Sequence, residues 1–395
     1  MKRLSQASRL LLLIYLCFIS LGLPDGILGA AWPAIRLDMQ QPLATVGLIT
    51  ISMTVCSALS SLWAANLTRR WGTGPIVAAS GLMTAMALLG FANAPSFAWL
   101  LLMAIPLGLG AGAVDASVNH FVSVHYTARH MNWLHGFWGV GASTSPLVMG
   151  AVMAQTGQWS AGVLSLGLAQ LVLSGVLWLC LPWWKQPITL APNVASTEPT
   201  PRSDPSLPSD SALRPLSAWL APACFLFYVG AEMGTGLWAA SILVQERGLD
   251  LVQASVGLSL YFGAITAGRF GVGFVAHRLS NRQWVQWGIG LALLGACLFA
   301  LPLPSLFGFT GLVLMGLGCA PIFPSLMHET ARRFPPELAR TLVGRQMVFA
   351  YAGGSVLPAG LGLIATWGGL NWVMPCVLLL LISLGLSTRW LDRMT

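Results

Sequence analysis

Twelve runs of apolar residues, each near the ~20 a helix needs to cross a bilayer, divide this chain of 395 residues. They lie at 10–31, 45–66, 75–94, 97–123, 133–155, 160–183, 218–244, 254–276, 284–303, 305–328, 342–366 and 371–391. Hydrocarbon offers no water to backbone N–H and C=O groups, so such runs must satisfy those groups internally as helices. With 56% hydrophobic and only 8% charged residues, the chain lacks the polar surface of a soluble domain. The expected class is an all-α integral membrane protein with twelve transmembrane helices.

An even number of crossings puts both termini on one side. Of the 20 Lys and Arg residues, all but Arg36, Arg247, Arg269 and Arg345 fall in segments that share the termini's side. The excess of basic residues in cytoplasmic loops predicts cytoplasmic N and C termini and a multi-pass protein of the cell (plasma or inner) membrane. The first run follows Lys2, Arg3 and Arg9 and is read as a membrane helix, because it is long for a signal peptide and eleven more follow. A formal charge of +8 without a basic stripe argues against nucleic acid. Seven cysteines lie in apolar runs without a C-x-x-C pair and are read as packing residues.

The chain also repeats itself. The offset that relates Asp25 to Glu232 superimposes Cys17-Phe18 on Cys224-Phe225 and Gly29 on Gly236. At slightly larger offsets Gly108-Leu109-Gly110 matches Gly316-Leu317-Gly318, and Gly141 and Pro146 match Gly353 and Pro358. Residues 184–217 are rich in Pro and Ser, a composition that cannot offset its ordering entropy by burial. The expected organisation is a six-helix bundle over 1–183, a cytoplasmic linker over 184–217 and a second six-helix bundle over 218–395. Pro106, Pro146, Pro321, Pro324 and Pro358 are candidate helix bends.

Two six-helix halves in parallel repeat resemble the major facilitator fold, in which the transport site lies at the midplane between the halves. Three segments make the resemblance narrower: Leu21-Gly22-Leu23-Pro24-Asp25-Gly26-Ile27-Leu28-Gly29, Val114-Asp115-Ala116-Ser117-Val118-Asn119 and Asn132-Trp133-Leu134-His135-Gly136-Phe137-Trp138. They resemble the fucose-permease-like branch, related to the fucose-galactose-glucose proton symporters. In the fucose permease, acids in the first and fourth helices carry sugar recognition and proton coupling, and an Asn-x-x-Gln-x-Phe-Asn pattern follows in the fifth. Here His135 stands for the amide, Trp138 for the second Asn and Asp115 for a longer acid. The superfamily's loop signature is degenerate too, as Ala65-Asn66-Leu67-Thr68-Arg69-Arg70-Trp71-Gly72 and Gly273-Phe274-Val275-Ala276-His277-Arg278, both without the usual Asp.

A carboxylate inside an apolar run is costly unless it is paired, lines water or binds something. Asp115, Asp25 and Glu232 are therefore the expected proton-coupling residues, with Asp115 first because it lies mid-run. Taking up a proton makes such a group neutral and cheaper to occlude. Asp25 and Glu232 are also expected at the substrate, with Asn119, His135, Trp138, Trp238 and Tyr351. Trp138 and Trp238 are the aromatic candidates because they lie inside runs, away from the interfaces where tryptophans anchor. Arg269, Glu329 and Arg345 are grouped as an inner-gate ion-pair cluster. His120 and His135 are alternative proton relays towards the inner mouth.

No nucleophile elbow, P-loop or metal-ligand spacing occurs, so the chain reads as neither an enzyme nor an ATP-driven pump. No cofactor is expected; an ion gradient supplies the driving force. The expected function is proton-coupled uptake of a sugar or similar polar solute by alternating access, carried out by a monomer. Proton-antiport efflux of drugs or metabolites is the alternative, and a sensor in the same fold is a third.

Overall fold

The computed structural model describes residues 6–126, 128–185, 216–275 and 278–395. Most of the expected linker and His277 lie outside the described residues. The first half comprises α1 (Gln6–Asp38), α2 (Val46–Trp71), α3 (Thr73–Ala92), α4 (Phe97–His125), α5 (Ala128–Thr156) and α6 (Trp159–Leu179). The second comprises α7 (Ser217–Gln245), α8 (Leu251–Val275), α9 (Asn281–Ala300), α10 (Ser305–Cys319), α11 (Ile322–Arg333), α12 (Pro336–Gly368) and α13 (Val373–Met394). Together they form twelve spans long and apolar enough to cross a membrane, α10 and α11 making one of them.

The prolines act unequally. Pro106, Pro146 and Pro358 lie inside the unbroken helices α4, α5 and α12. Pro321 instead sits where the tenth span divides, between α10 and α11. A proline brings no N–H to the helical ladder and crowds the preceding turn. Beside the break the Tyr228 hydroxyl of α7 donates to the Cys319 carbonyl at 3.0 Å.

The internal repeat reappears in the packing. In the first half α1 packs on α5, α2 on α4 and α3 on α6; in the second α7 packs on α12, α8 on α10 and α9 on α13. These are the same pairs once α10 and α11 are counted as one span. Close backbone approach makes the α1–α5 pairing possible, since a Cβ on Gly22 would overlap the Trp138 carbonyl. The halves meet through α5 on α8, α2 on α12 and α1 on α7 and α8.

That contact is tight at one end. The Ala44 amide donates to Thr366 Oγ1 at 3.2 Å, a Cβ on Gly47 would lie 2.6 Å from that of Ala359, and Gly29 abuts the Gly236 carbonyl. Beyond Trp138 towards this end, the same face of α5 is sealed, with Ala142, Ser145 and Met149 fully buried. One turn the other way His135 is exposed, as is Asp25 midway along α1. A cavity between the halves therefore opens towards the end that carries Arg69, Arg70, Arg282, Arg332 and Arg333, here called the basic end.

Candidate functional site

Asp25 follows Pro24 in the middle of a 33-residue helix, yet its side chain is solvent-exposed. A carboxylate at that depth reaches water only through a cavity. Its Oδ2 accepts a hydrogen bond from Trp138 Nε1 at 2.8 Å, across the close α1–α5 contact. The Trp138 ring carries the Arg269 guanidinium of α8, 5.3 Å from the ring centroid. Cation and ring attract through the ring quadrupole, most strongly where water is scarce. Phe262 meets Trp138 edge-on with centroids 6.3 Å apart.

Arg269 turns its Nη2 to Glu232 Oε1 at 3.1 Å. Glu232 is 3% exposed and the Arg269 side chain 16%, so the pair lies at the inner wall with the guanidinium nearer the cavity. The Tyr261 hydroxyl donates to the Glu232 backbone carbonyl at 3.0 Å, which fixes α8 against α7 at this level. The Tyr228 hydroxyl lies beside the Glu232 side chain. One continuous chain of contacts, Asp25–Trp138–Arg269–Glu232, thus joins α1 and α5 of the first half to α8 and α7 of the second.

Asp115 occupies α4 and is half-buried. Its Oδ1 accepts from Asn119 Nδ2 at 2.8 Å, and the same amide reaches the Asp115 carbonyl at 3.0 Å. Asn119 is thereby committed to Asp115. Asp115 and Glu232 are both within electrostatic reach of Asp25. Tyr351 of α12 is 36% exposed, lies beside Ser61 of α2 and is within electrostatic reach of Asp115. His135 faces Phe18 edge-on at 5.8 Å between centroids and is within electrostatic reach of Arg269.

Two expectations require correction. Trp238 does not line the cavity: it is fully buried, donates from Nε1 to the Pro358 carbonyl at 2.9 Å and packs on Gly362. Six residues beyond Glu232, at 3.6 residues per turn, it points about 120° away from the Glu232 face. It therefore packs α7 on α12.

Arg269, Glu329 and Arg345 do not form one cluster either. Arg269 belongs to Glu232. Glu329, 1% exposed, accepts from Arg282 at 3.2 Å, Arg332 at 3.0 Å and Arg333 at 3.2 Å, and Arg333 also pairs with Asp392. Arg345 lies with its guanidinium 5.0 Å from the centroid of Trp219. The Glu329 network ties α9, α11 and α13 within the second half and does not bridge the halves. Sequence reasoning missed Tyr228, Tyr261 and Phe262, which look like ordinary apolar-run aromatics, and gave Arg269 to the wrong acid. The signal for Arg269 was present: it is the only charged residue within α8.

Among known proteins, the chain is 24% identical over 383 residues to Bypass of stop codon protein 6 of Saccharomyces cerevisiae, covering 90% of this chain and 77% of that protein. It is 24% identical to the Tetracenomycin C resistance and export protein of Streptomyces glaucescens, over 90% and 75% of the two chains. It is also 24% identical to the Glucose/mannose transporter GlcP of Bacillus subtilis, over 57% and 56%. In fold it is similar to a bacterial homologue of the human lysosomal transporter Spinster, solved in an inward-facing and occupied conformation. That similarity has a TM-score of 0.76 at 14% identity and covers 99% of this chain and 98% of the other. The Major Facilitator Superfamily model matches residues 14–358, and with the twelve-span, two-half architecture this shows that the chain belongs to that superfamily of membrane transporters, which are not enzymes.

Proposed function

We propose that the chain is a proton-driven carrier of a sugar or similar polar solute in the cell membrane, moving it inward by alternating access with both termini cytoplasmic. The observation that carries this reading is the exposed Asp25 carboxylate, in mid-helix and hydrogen-bonded to Trp138. It presents an acceptor for solute hydroxyls beside an aromatic ring, the pairing that suits a solute with polar edges and apolar faces. Asp115, within electrostatic reach of Asp25, is the proton carrier of this scheme. Its partner Asn119 supplies N–H donors suited to the ionised carboxylate. When Asp115 takes up a proton, the cavity carries one charge fewer and closes over the solute at lower electrostatic cost. Asp25, Asp115 and the fifth-helix pattern support the fucose-permease-like branch, and GlcP is a relative named for sugar transport.

In proteoliposomes, an imposed inward proton gradient should drive accumulation of a transported sugar by the unaltered chain. Asp115→Asn should bind that sugar and exchange it, yet fail to accumulate it. Full gradient-driven accumulation by Asp115→Asn would rule out its role.

Efflux by proton antiport is the second reading, favoured by the half-buried rings of Phe137 and Phe270, which meet edge-on between α5 and α8, and by the export protein among the relatives. A panel of toxic compounds given to cells that express the chain separates the two. Export raises resistance, whereas uptake supports growth on the solute or raises sensitivity.

A further inference from the structure

At the basic end, away from the central cavity, a cleft of about 280 Å³ lies between the first two turns of α9 and the last turns of α13. Arg282, Gln283, Gln286, Trp287 and Arg389 line it. The two arginines differ in their partners. Arg282 is neutralised by Glu329 at 3.2 Å and Asp392 at 3.6 Å. Arg389 is not: its Nε reaches only Gln286 Oε1, at 3.5 Å, and among the described residues no carboxylate lies within ion-pair distance of it. Around the cleft, Arg282, Arg332 and Arg333 already share Glu329 and Asp392, so Arg389 adds to an uncompensated positive charge.

The cleft is built rather than incidental. Gln286 Nε2 donates to Thr388 Oγ1 at 3.3 Å and Arg282 Nη1 to the Asp392 carbonyl at 3.4 Å, which hold its two walls together. Its level is that of a membrane boundary, because Trp287 is 70% exposed and Trp390 52%, as expected of interfacial tryptophans. Towards the membrane interior the same outer faces turn apolar. Leu294 on α9 and Ile382 and Leu386 on α13 are exposed, and Gly290 has open space beside it.

We infer that this cleft binds the phosphate headgroup of an anionic phospholipid, whose acyl chains lie along the exposed apolar faces of α9 and α13. Arg389 supplies the principal charge, Gln283 and Gln286 supply amide N–H donors, and Trp287 covers the headgroup. Inorganic phosphate offers the same charge but gains nothing from the apolar wall below, so the structure favours the lipid. Basic pockets at one face of a membrane protein are a recurrent means of holding such headgroups.

The test is native mass spectrometry and thermal unfolding of the full chain in a neutral detergent. Phosphatidylglycerol, phosphatidylcholine or inorganic phosphate is added to the unaltered chain and to Arg389→Ala. Phosphatidylglycerol should be retained and should raise the unfolding midpoint, phosphatidylcholine and phosphate should not, and Arg389→Ala should weaken retention by about fivefold, the factor for ~1 kcal/mol per basic residue near a charged membrane surface. Equal retention of both lipids, equal protection by phosphate, or phosphatidylglycerol retention unchanged in Arg389→Ala would each overturn the inference. The comparison between the two lipids needs no variant and stands even if Arg389→Ala folds poorly.

Discussion

At the scale of the residue, the pairing of Arg269 with Glu232 is the arrangement on which the site most depends. Glu232 is almost fully enclosed and receives one hydrogen bond from Arg269 Nη2. Removing one member of such a pair strands the other as an uncompensated charge, at a cost of about 3–5 kcal/mol. Glu232→Gln and Arg269→Gln should each lower the unfolding midpoint in detergent, and the double substitution should recover most of the loss. A double variant as unstable as the sum of the singles would show that the two side chains do not act as a pair. Asp25 was recognisable in the sequence because a carboxylate in an apolar run demands an explanation. That Trp138, rather than a second carboxylate or an amide, supplies its hydrogen bond was not, because the contact depends on how closely α1 and α5 approach.

At the scale of the element, small residues decide where helices close. The seal opposite the basic end rests on Gly29 against Gly236, and on Gly47 against Ala359, with the Ala44–Thr366 hydrogen bond alongside. Neither Gly29 nor Gly47 has room for a Cβ. Gly47→Leu should therefore wedge α2 from α12 and admit solvent from the sealed end. A single reporter cysteine placed at Asp25, in a background without the seven native cysteines, should then react faster with an impermeant thiol reagent from that end. An unchanged rate would mean that the seal lies elsewhere. The twelve spans were legible one by one because helix formation in hydrocarbon is a local demand. The break between α10 and α11 was only half legible. Five prolines were candidates for bends, and Pro321 is the one at an interruption, where the Tyr228 hydroxyl of α7 donates to the Cys319 carbonyl.

At the scale of the whole molecule, the two halves meet most extensively through α5 and α8, where Ser259 Oγ donates to the Ser143 carbonyl at 2.6 Å. A Cβ on Gly263 would lie 3.9 Å from Ser143 Cβ, inside the range a disulfide spans, about 3.5–4.5 Å. In the cysteine-free background, Ser143→Cys with Gly263→Cys should cross-link on oxidation. If transport requires the halves to rock apart along this seam, oxidation should abolish turnover and a reductant should restore it. Undiminished turnover by the cross-linked protein would exclude such rocking at this level.

The sequence by itself determined the membrane-spanning class, the twelve spans, the two-fold repeat and the acids worth attention. Each follows from composition along one segment, or from comparing one segment with another. Tertiary structure alone decided which of those residues share a cavity. Trp238 left the site because its azimuth on α7 turns it towards α12. Arg269 entered because α8 carries it across the interface to Glu232 and Trp138. The end at which the halves close was likewise beyond the sequence, since closure depends on the relative tilt of two bundles and on backbones that touch only after both have folded. Charge and hydrophobicity are properties of a segment, whereas facing, distance and access are properties of pairs of segments.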